Sequence, residues 1–215
     1  MQVPKLINKA DFAILLEHLT TERDVLLVKM LFGTGCRIGE LVGSRVGDLD
    51  LEEGILHLDA TRTKTKEYRE VLIPGNLLPE IRSWISGKSP GEWLFPGQKE
   101  DSHITPRRVQ QIVSKAADAA GIQRVYGLSK DGRRLNITSP HVLRHLHAVE
   151  ALSNGVPLNA LQDQLGHSAL QTTAVYLRAG LEHRRRGYSG FGADIPTGDT
   201  GAVTEEVRSE HREEN

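Results

Sequence analysis

Apolar residues recur along the chain mostly at helical spacing. Phe12, Leu15, Leu16 and Leu19 fall at i, i+3, i+4 and i+7 behind Asn8, which predicts a helix capped by that asparagine. Thr21 opens a second helix over residues 25–32 that Gly33 and Gly35 stop, and a short third carries Arg37, Ile38, Glu40 and Leu41. Residues 54–60 (GILHLDA) and 69–73 (REVLI) read as two strands, with the polar, basic run 61–68 (TRTKTKEY) as a hairpin tip. Leu77, Leu78, Ile81, Trp84 and Ile85 predict another amphipathic helix.

Thr105-Pro106 and Ser139-Pro140 each join a cap to a proline at the first helical position. The first pair opens a helix through Val109, Ile112, Val113, Ala116 and Ala120, ended by Gly121. The second opens one through Leu143, Leu146, Val149 and Leu152 to Asn154-Gly155. Between them, residues 124–137 contain Lys130-Asp131-Gly132-Arg133 and read as a second, basic hairpin. Helices over 157–165 and 170–179 complete the body. The expected fold is α+β, one mostly helical domain over residues 4–180 with small antiparallel strands. Residues 187–215, glycine-rich and then acidic, read as a flexible linker and tail.

Composition narrows the function classes. One cysteine, Cys36, excludes an internal disulfide framework and reads as a small buried hydrophobe. No apolar run approaches ~18–20 residues, so no membrane span is expected. The first residues lack a secretory pattern, and the expected location is cytoplasmic. Lys and Arg number 27 against 28 Asp and Glu, a net charge of −1 that taken alone argues against a polyanionic partner. The average conceals two opposed parts. Residues 193–215 hold seven acids and two bases, leaving 25 bases and 21 acids elsewhere, while residues 105–145 hold eight bases and two acids. Affinity for a polyanion follows the local field rather than the sum.

Several residues that carry charge or protons sit near apparent element ends. Arg37 follows two glycines in GTGCRIGE, with Glu40 three residues on and able to orient it. Lys64 lies on the hairpin tip. His141 and Arg144 in SPHVLRH share the first turn of a helix at i, i+3, pointing the same way. His167 stands in LGHS, and Tyr176 follows nine residues later in QTTAVY. Converged, two arginines would fork onto the oxygens of one phosphodiester, with helix N-termini beside His141 and His167 adding N–H donors. Such a set suits a pentavalent phosphorane, whose developing negative charge is the main thing to stabilise. Tyr176 would be the nucleophile, His141 its base, and Lys64 the acid for the leaving oxygen. No Asp/Glu cluster has metal-ligand spacing, so the expected chemistry uses no metal or other cofactor. His145 and His147 on one helix have no carboxylate or thiol partners at ligand spacing. Tyr68, Tyr126 and Tyr188 are rival nucleophiles without a histidine nine residues before them.

The stretches TGCRIGELVGSRVGDLDL, RTKTKEYREVLIP, TSPHVLRHLHA and LGHSALQTTAVY resemble, in order, the catalytic-domain boxes of the tyrosine recombinases, the phage integrase and Xer superfamily. The resemblance implies the catalytic-domain fold of these DNA breaking and rejoining enzymes. By position it makes Arg37 and Arg144 the catalytic arginines, Lys64 the general acid with Lys66 as its alternative, His141 and His167 the two histidines, and Tyr176 the attacking residue. Glu40, Asp48 and His145 match supporting positions. Arg62, Lys66, Arg107, Arg108, Arg133 and Arg134 are the cations expected along the DNA backbone.

The implied function is site-specific strand cleavage and rejoining through a 3′-phosphotyrosyl intermediate, on double-stranded DNA, as a monomer alone and a homotetramer on two sites. Topoisomerase-like nicking and closing, or DNA binding without catalysis, are the alternatives. Relatives commonly carry an N-terminal helical domain, which is expected to be absent here because catalytic-type sequence begins within the first ten residues.

Overall fold

The computed structural model describes residues 7–59, 68–128, 134–136 and 138–166. The expected helix over 170–179, the hairpin tip 61–67, the 129–133 turn and the linker and tail therefore lie outside the described residues.

Helix α1 spans Lys9–Glu17, and Asn8 caps it as expected: its side chain accepts the Asp11 N–H, and the Asp11 carboxylate accepts the Asn8 N–H. Helix α2 spans Glu22–Thr34, with the Thr21 hydroxyl accepting the Asp24 N–H. It runs through Gly33, which was expected to stop it. A Cβ at Gly33 would lie 2.8 Å from Leu77 Cδ1, so this glycine admits a neighbouring segment instead. Gly35 ends the helix in the left-handed region at φ +65°. Helix α3 spans Ile38–Val42, with Arg37 standing just outside it as the extended N-cap.

A short 3-10 turn over Val46–Asp48 leads into a three-stranded antiparallel sheet of β1 (Leu49–Asp50), β2 (Ile55–Leu58) and β3 (Arg69–Leu72), in that order. Strand β1 was not expected, since two residues carry no periodicity. In β2 and β3 the period of two decides which side chains face inward: Leu56, Leu58 and Val71 are buried. The register pairs Leu56 with Val71, His57 with Glu70, and Leu58 with Arg69. Arg69 therefore shares the parity of the apolar residues.

Helix α4 covers Leu78–Ile85 and α5 covers Pro106–Ala119, the latter capped by the Thr105 hydroxyl on the Arg108 N–H. Strands β4 (Val125–Leu128) and β5 (Arg134–Asn136) form the second antiparallel hairpin. Helix α6 spans Pro140–Ser153 behind its Ser139 cap, and α7 spans Leu158–Leu165, ended by Gly166 at φ +62°.

The main core runs from α1 and α2 through the sheet to α5 and α6, joining Leu15, Leu31, Leu41, Leu56, Val113 and Leu143 among others. A smaller cluster of Ala148, Leu152, Leu161 and Leu165 holds α7 against α6. Helices α2 and α6 pack on each other, and His147 of α6 donates from Nδ1 to the Phe32 carbonyl at 2.8 Å. Its Nε2 is buried with no hydrogen-bond partner among the described residues. Burial pushes the imidazole pKa down, aided by the nearby Arg144 charge and opposed by the bond to Phe32. No helix among the described residues is long and apolar enough to cross a membrane.

Two stability predictions follow from this packing. Leu31→Ala, at a side chain 1% exposed, should cost about 2–5 kcal/mol in urea denaturation. Ile14→Ala, on the solvent side of α1, should cost less than about 0.5 kcal/mol. A further prediction concerns pH. Because the folded chain resists protonating His147, the unfolded chain binds more protons once pH falls below about 6.5. The urea midpoint should hold above that pH and decline as pH falls below it, less steeply in His147→Asn. His145, depressed for a similar reason, leaves a residual slope.

Candidate functional site

The last carbonyls of a helix have no intrahelical donor and carry the negative end of its dipole. At the end of α7 three consecutive ones are taken by three arginines from distant parts of the chain. Arg69 Nη1 donates to the Gln164 carbonyl at 2.7 Å, Arg144 Nη2 to Leu165 at 2.6 Å, and Arg37 Nη2 to Gly166 at 3.0 Å. Gln164 locks this end to its surroundings. Its side-chain amide donates to the Thr34 and Leu72 carbonyls, both at 2.9 Å, and accepts the Leu72 N–H at 3.0 Å.

Arg37 is aimed by Glu40, as its spacing suggested. The Glu40 carboxylate accepts Arg37 Nη1 on one oxygen and the Arg37 N–H on the other, each at 2.9 Å. The Arg37 side chain keeps a quarter of its surface exposed. Arg144 is buried, 7% exposed, with its other Nη on the Gly35 carbonyl at 2.6 Å. The reason is the left-handed turn at Gly35, which brings that carbonyl under α6. A Cβ there would sit 2.6 Å from the His147 ring. Bonds to neutral carbonyls orient a guanidinium without cancelling its charge.

His141 is exposed on the first turn of α6, while Arg144 one turn later is buried, so the two differ sharply in solvent access. His145 is half-buried. Desolvation first, then the charges of His141 and Arg144, push its pKa below the ordinary histidine value. Cys36 is buried and its thiol is pushed up to about 11 by desolvation, in keeping with a hydrophobe's role. Asp48 accepts the Arg45 N–H at 2.7 Å and closes the turn after α3. The Arg45 guanidinium lies 3.9 Å above the Trp93 ring, so this corner braces the chain behind the site.

Arg107 and Arg108 are exposed on the first turn of α5. Lys64, Arg62, Lys66, Arg133, His167 and Tyr176 lie outside the described residues, and Arg134 is described only as part of the β5 backbone. Of the rival tyrosines, Tyr68 donates to Glu70 Oε1 at 2.9 Å and lies 2.6 Å from His57 Nδ1. The carboxylate raises its pKa, which makes the phenolate harder to form. No group of three His, Cys, Asp or Glu among the described residues is placed to hold a metal ion.

Arg69 was missed in the sequence reading. The available signal was its parity: in REVLI it alternates in step with the buried Val71, so an arginine was being directed to the inner face of a strand.

Comparison with known proteins gives a consistent result. The chain is 30% identical over 189 residues to tyrosine recombinase XerA of Thermococcus kodakarensis, covering 86% of this chain and 61% of that protein. It is 34% identical over 179 residues to a tyrosine recombinase of Pseudothermotoga lettingae, covering 82% and 57%. The chain thus spans about 60% of the length of these relatives. Among solved structures, XerA recombinase superposes with a TM-score of 0.69 at 24% identity, over 88% of this chain and 65% of the other. XerH site-specific recombinase bound to its difH substrate gives a TM-score of 0.63 at 24% identity, over 85% and 53%. Residues 2–183 match the sequence pattern of the phage integrase family. With its fold and its boxes in the same order, the chain belongs to the phage integrase family, whose members include the tyrosine recombinases.

Proposed function

We propose that this chain cleaves and rejoins double-stranded DNA as a site-specific tyrosine recombinase, through a 3′-phosphotyrosyl intermediate. The observation that carries the reading is the seating of Arg37 and Arg144 on the consecutive carbonyls of Leu165 and Gly166. Two guanidiniums are thereby fixed on the carbonyls of the two residues that precede position 167 in the chain. A phosphate entering there would receive forked hydrogen bonds from a pair held in advance, so little reorganisation would be needed as negative charge develops. Arg37 is the more open of the two and would meet the phosphate first.

In the cleavage step the Tyr176 hydroxyl oxygen bonds to phosphorus while the bond to the 5′ oxygen breaks. The phenol proton passes to His141, which is exposed on the first turn of α6 and free to reach a substrate. Lys64 protonates the leaving 5′ oxygen, giving a 5′-hydroxyl end. Attack by a 5′-hydroxyl from a partner strand reverses each transfer and releases the tyrosine. The phosphotyrosine conserves the energy of the broken ester, so these steps require no ATP. The role of DNA as substrate is supported by the solved relatives, XerH with its difH substrate and the Tn1549 integrase with circular intermediate DNA. Two rounds of exchange on two DNA sites call for four protomers. Arg107 and Arg108, exposed at the start of α5, suit backbone contacts outside the scissile phosphate.

A nicked suicide duplex, which loses the attacking 5′ end after cleavage, tests the reading on a denaturing gel. The wild-type chain should accumulate a covalent protein–DNA adduct and Tyr176→Phe none. An adduct persisting in Tyr176→Phe would remove Tyr176 as nucleophile, and relaxation of a supercoiled plasmid without strand exchange would favour simple nicking and closing. Arg37→Ala and Arg144→Lys should each slow adduct formation by about 10²–10³. Melting curves are required beside Arg144→Lys, because that side chain is also buried. DNA affinity should fall steeply with rising salt, in proportion to the number of phosphates neutralised.

A further inference from the structure

Among the described residues, Arg69 is the one strand cation that turns inward beside the arginine pair. Its Nη2 donates to Glu40 Oε2 at 2.5 Å while Nη1 holds the Gln164 carbonyl at 2.7 Å. Its side chain is 12% exposed and that of Glu40 only 2%. The same Glu40 carboxylate orients Arg37 through its other oxygen. One guanidinium thus bridges β3, α3 and the end of α7. Gly166 is fitted to it, since a Cβ at that position would lie 2.8 Å from Arg69 Nη1.

The charges at this bridge have a consequence for the phosphate. A buried carboxylate paired with Arg37 alone would make a neutral unit, and the guanidinium meant for the phosphate would be largely cancelled. Two guanidiniums on one carboxylate leave a net positive charge. Because Arg37 is twice as exposed as Arg69, that surplus faces solvent. We propose that Arg69 is a positioning residue that neutralises Glu40, so that the carboxylate can aim Arg37 without quenching it, and that it couples β3 to the Gly166 turn in front of His167. The inference rests on the strand-transfer reading above. Arg69 acts through Glu40 and is not required to touch DNA.

A double-mutant cycle with Glu40→Gln tests it, using single-turnover adduct formation on the suicide duplex. Arg69→Met should slow cleavage by about tenfold or more, with DNA affinity changed by less than about threefold. Arg69→Lys, which keeps the charge but loses the fork, should recover part of the rate. In the Glu40→Gln background no carboxylate remains to be neutralised, so Arg69→Met should cost less than about threefold. Equal costs in both backgrounds would overturn the inference, since a bracing role alone does not depend on the charge of Glu40. If Arg69→Met does not fold, Glu40→Gln with and without Arg69→Met still decides: about threefold or less supports the inference, and about tenfold overturns it. A wild-type chain that forms no adduct would overturn the strand-transfer reading and this inference with it. A wild type that cleaves, beside an Arg69→Met variant equally fast, would overturn the inference alone.

Discussion

Orphan carbonyls at the end of a helix need donors, and arginines gathered near one another need something that holds them apart and aligned. The C-terminus of α7 meets both requirements at once. The carbonyls of Gln164, Leu165 and Gly166 each take one guanidinium, from β3, α6 and the N-cap of α3 respectively. Each partner is short of what it gains: the helix end is satisfied and its partial negative charge is offset, while each arginine loses its rotational freedom. Without this seat, three like charges would repel and their long side chains would sample many rotamers.

The seat works only because the surrounding backbone is shaped for it. Gly35 adopts a left-handed turn that ends α2 and places its carbonyl under α6, where Arg144 finds a second acceptor. His147 fastens the same two helices through Phe32 and fills the space that a side chain at position 35 would need. Gly166 likewise leaves room for Arg69. A small number of left-handed glycines therefore bring together polar groups that lie more than a hundred residues apart in sequence. Burial deepens the effect, since electrostatic interactions in a region poor in water are stronger than at an open surface.

Solvent access differs sharply among the charged groups of this region. Arg144 is enclosed and His141, on the same first turns of α6, is open. Helical spacing puts them on one side of the helix, but α2 and α7 cover only the deeper of the two. In the proposed mechanism, exposure suits the residue that exchanges a proton with substrate, and enclosure suits the one that holds a charge in place. Arg37 stands between these cases, aimed by a buried carboxylate and still reachable from solvent.

Much of this architecture was legible from the residues alone. Caps at Asn8, Thr21, Thr105 and Ser139, each an oxygen that accepts a nearby N–H, located four helix starts, and the period of two located β2 and β3. These are local interactions, decided within a few residues, and so they leave local signals. The boxes around Arg37, Arg144, His167 and Tyr176 carry family resemblance for a related reason: chemistry restricts residue type more tightly than packing does. What the tertiary structure alone decided was long-range. The run of α2 through Gly33, the burial of Arg144, the brace at Asp48 and Arg45, and the inward turn of Arg69 all depend on segments distant in the chain. Sequence spacing shows which face of an element a side chain occupies. Only the packed structure shows what that face meets, and here it meets the open end of α7.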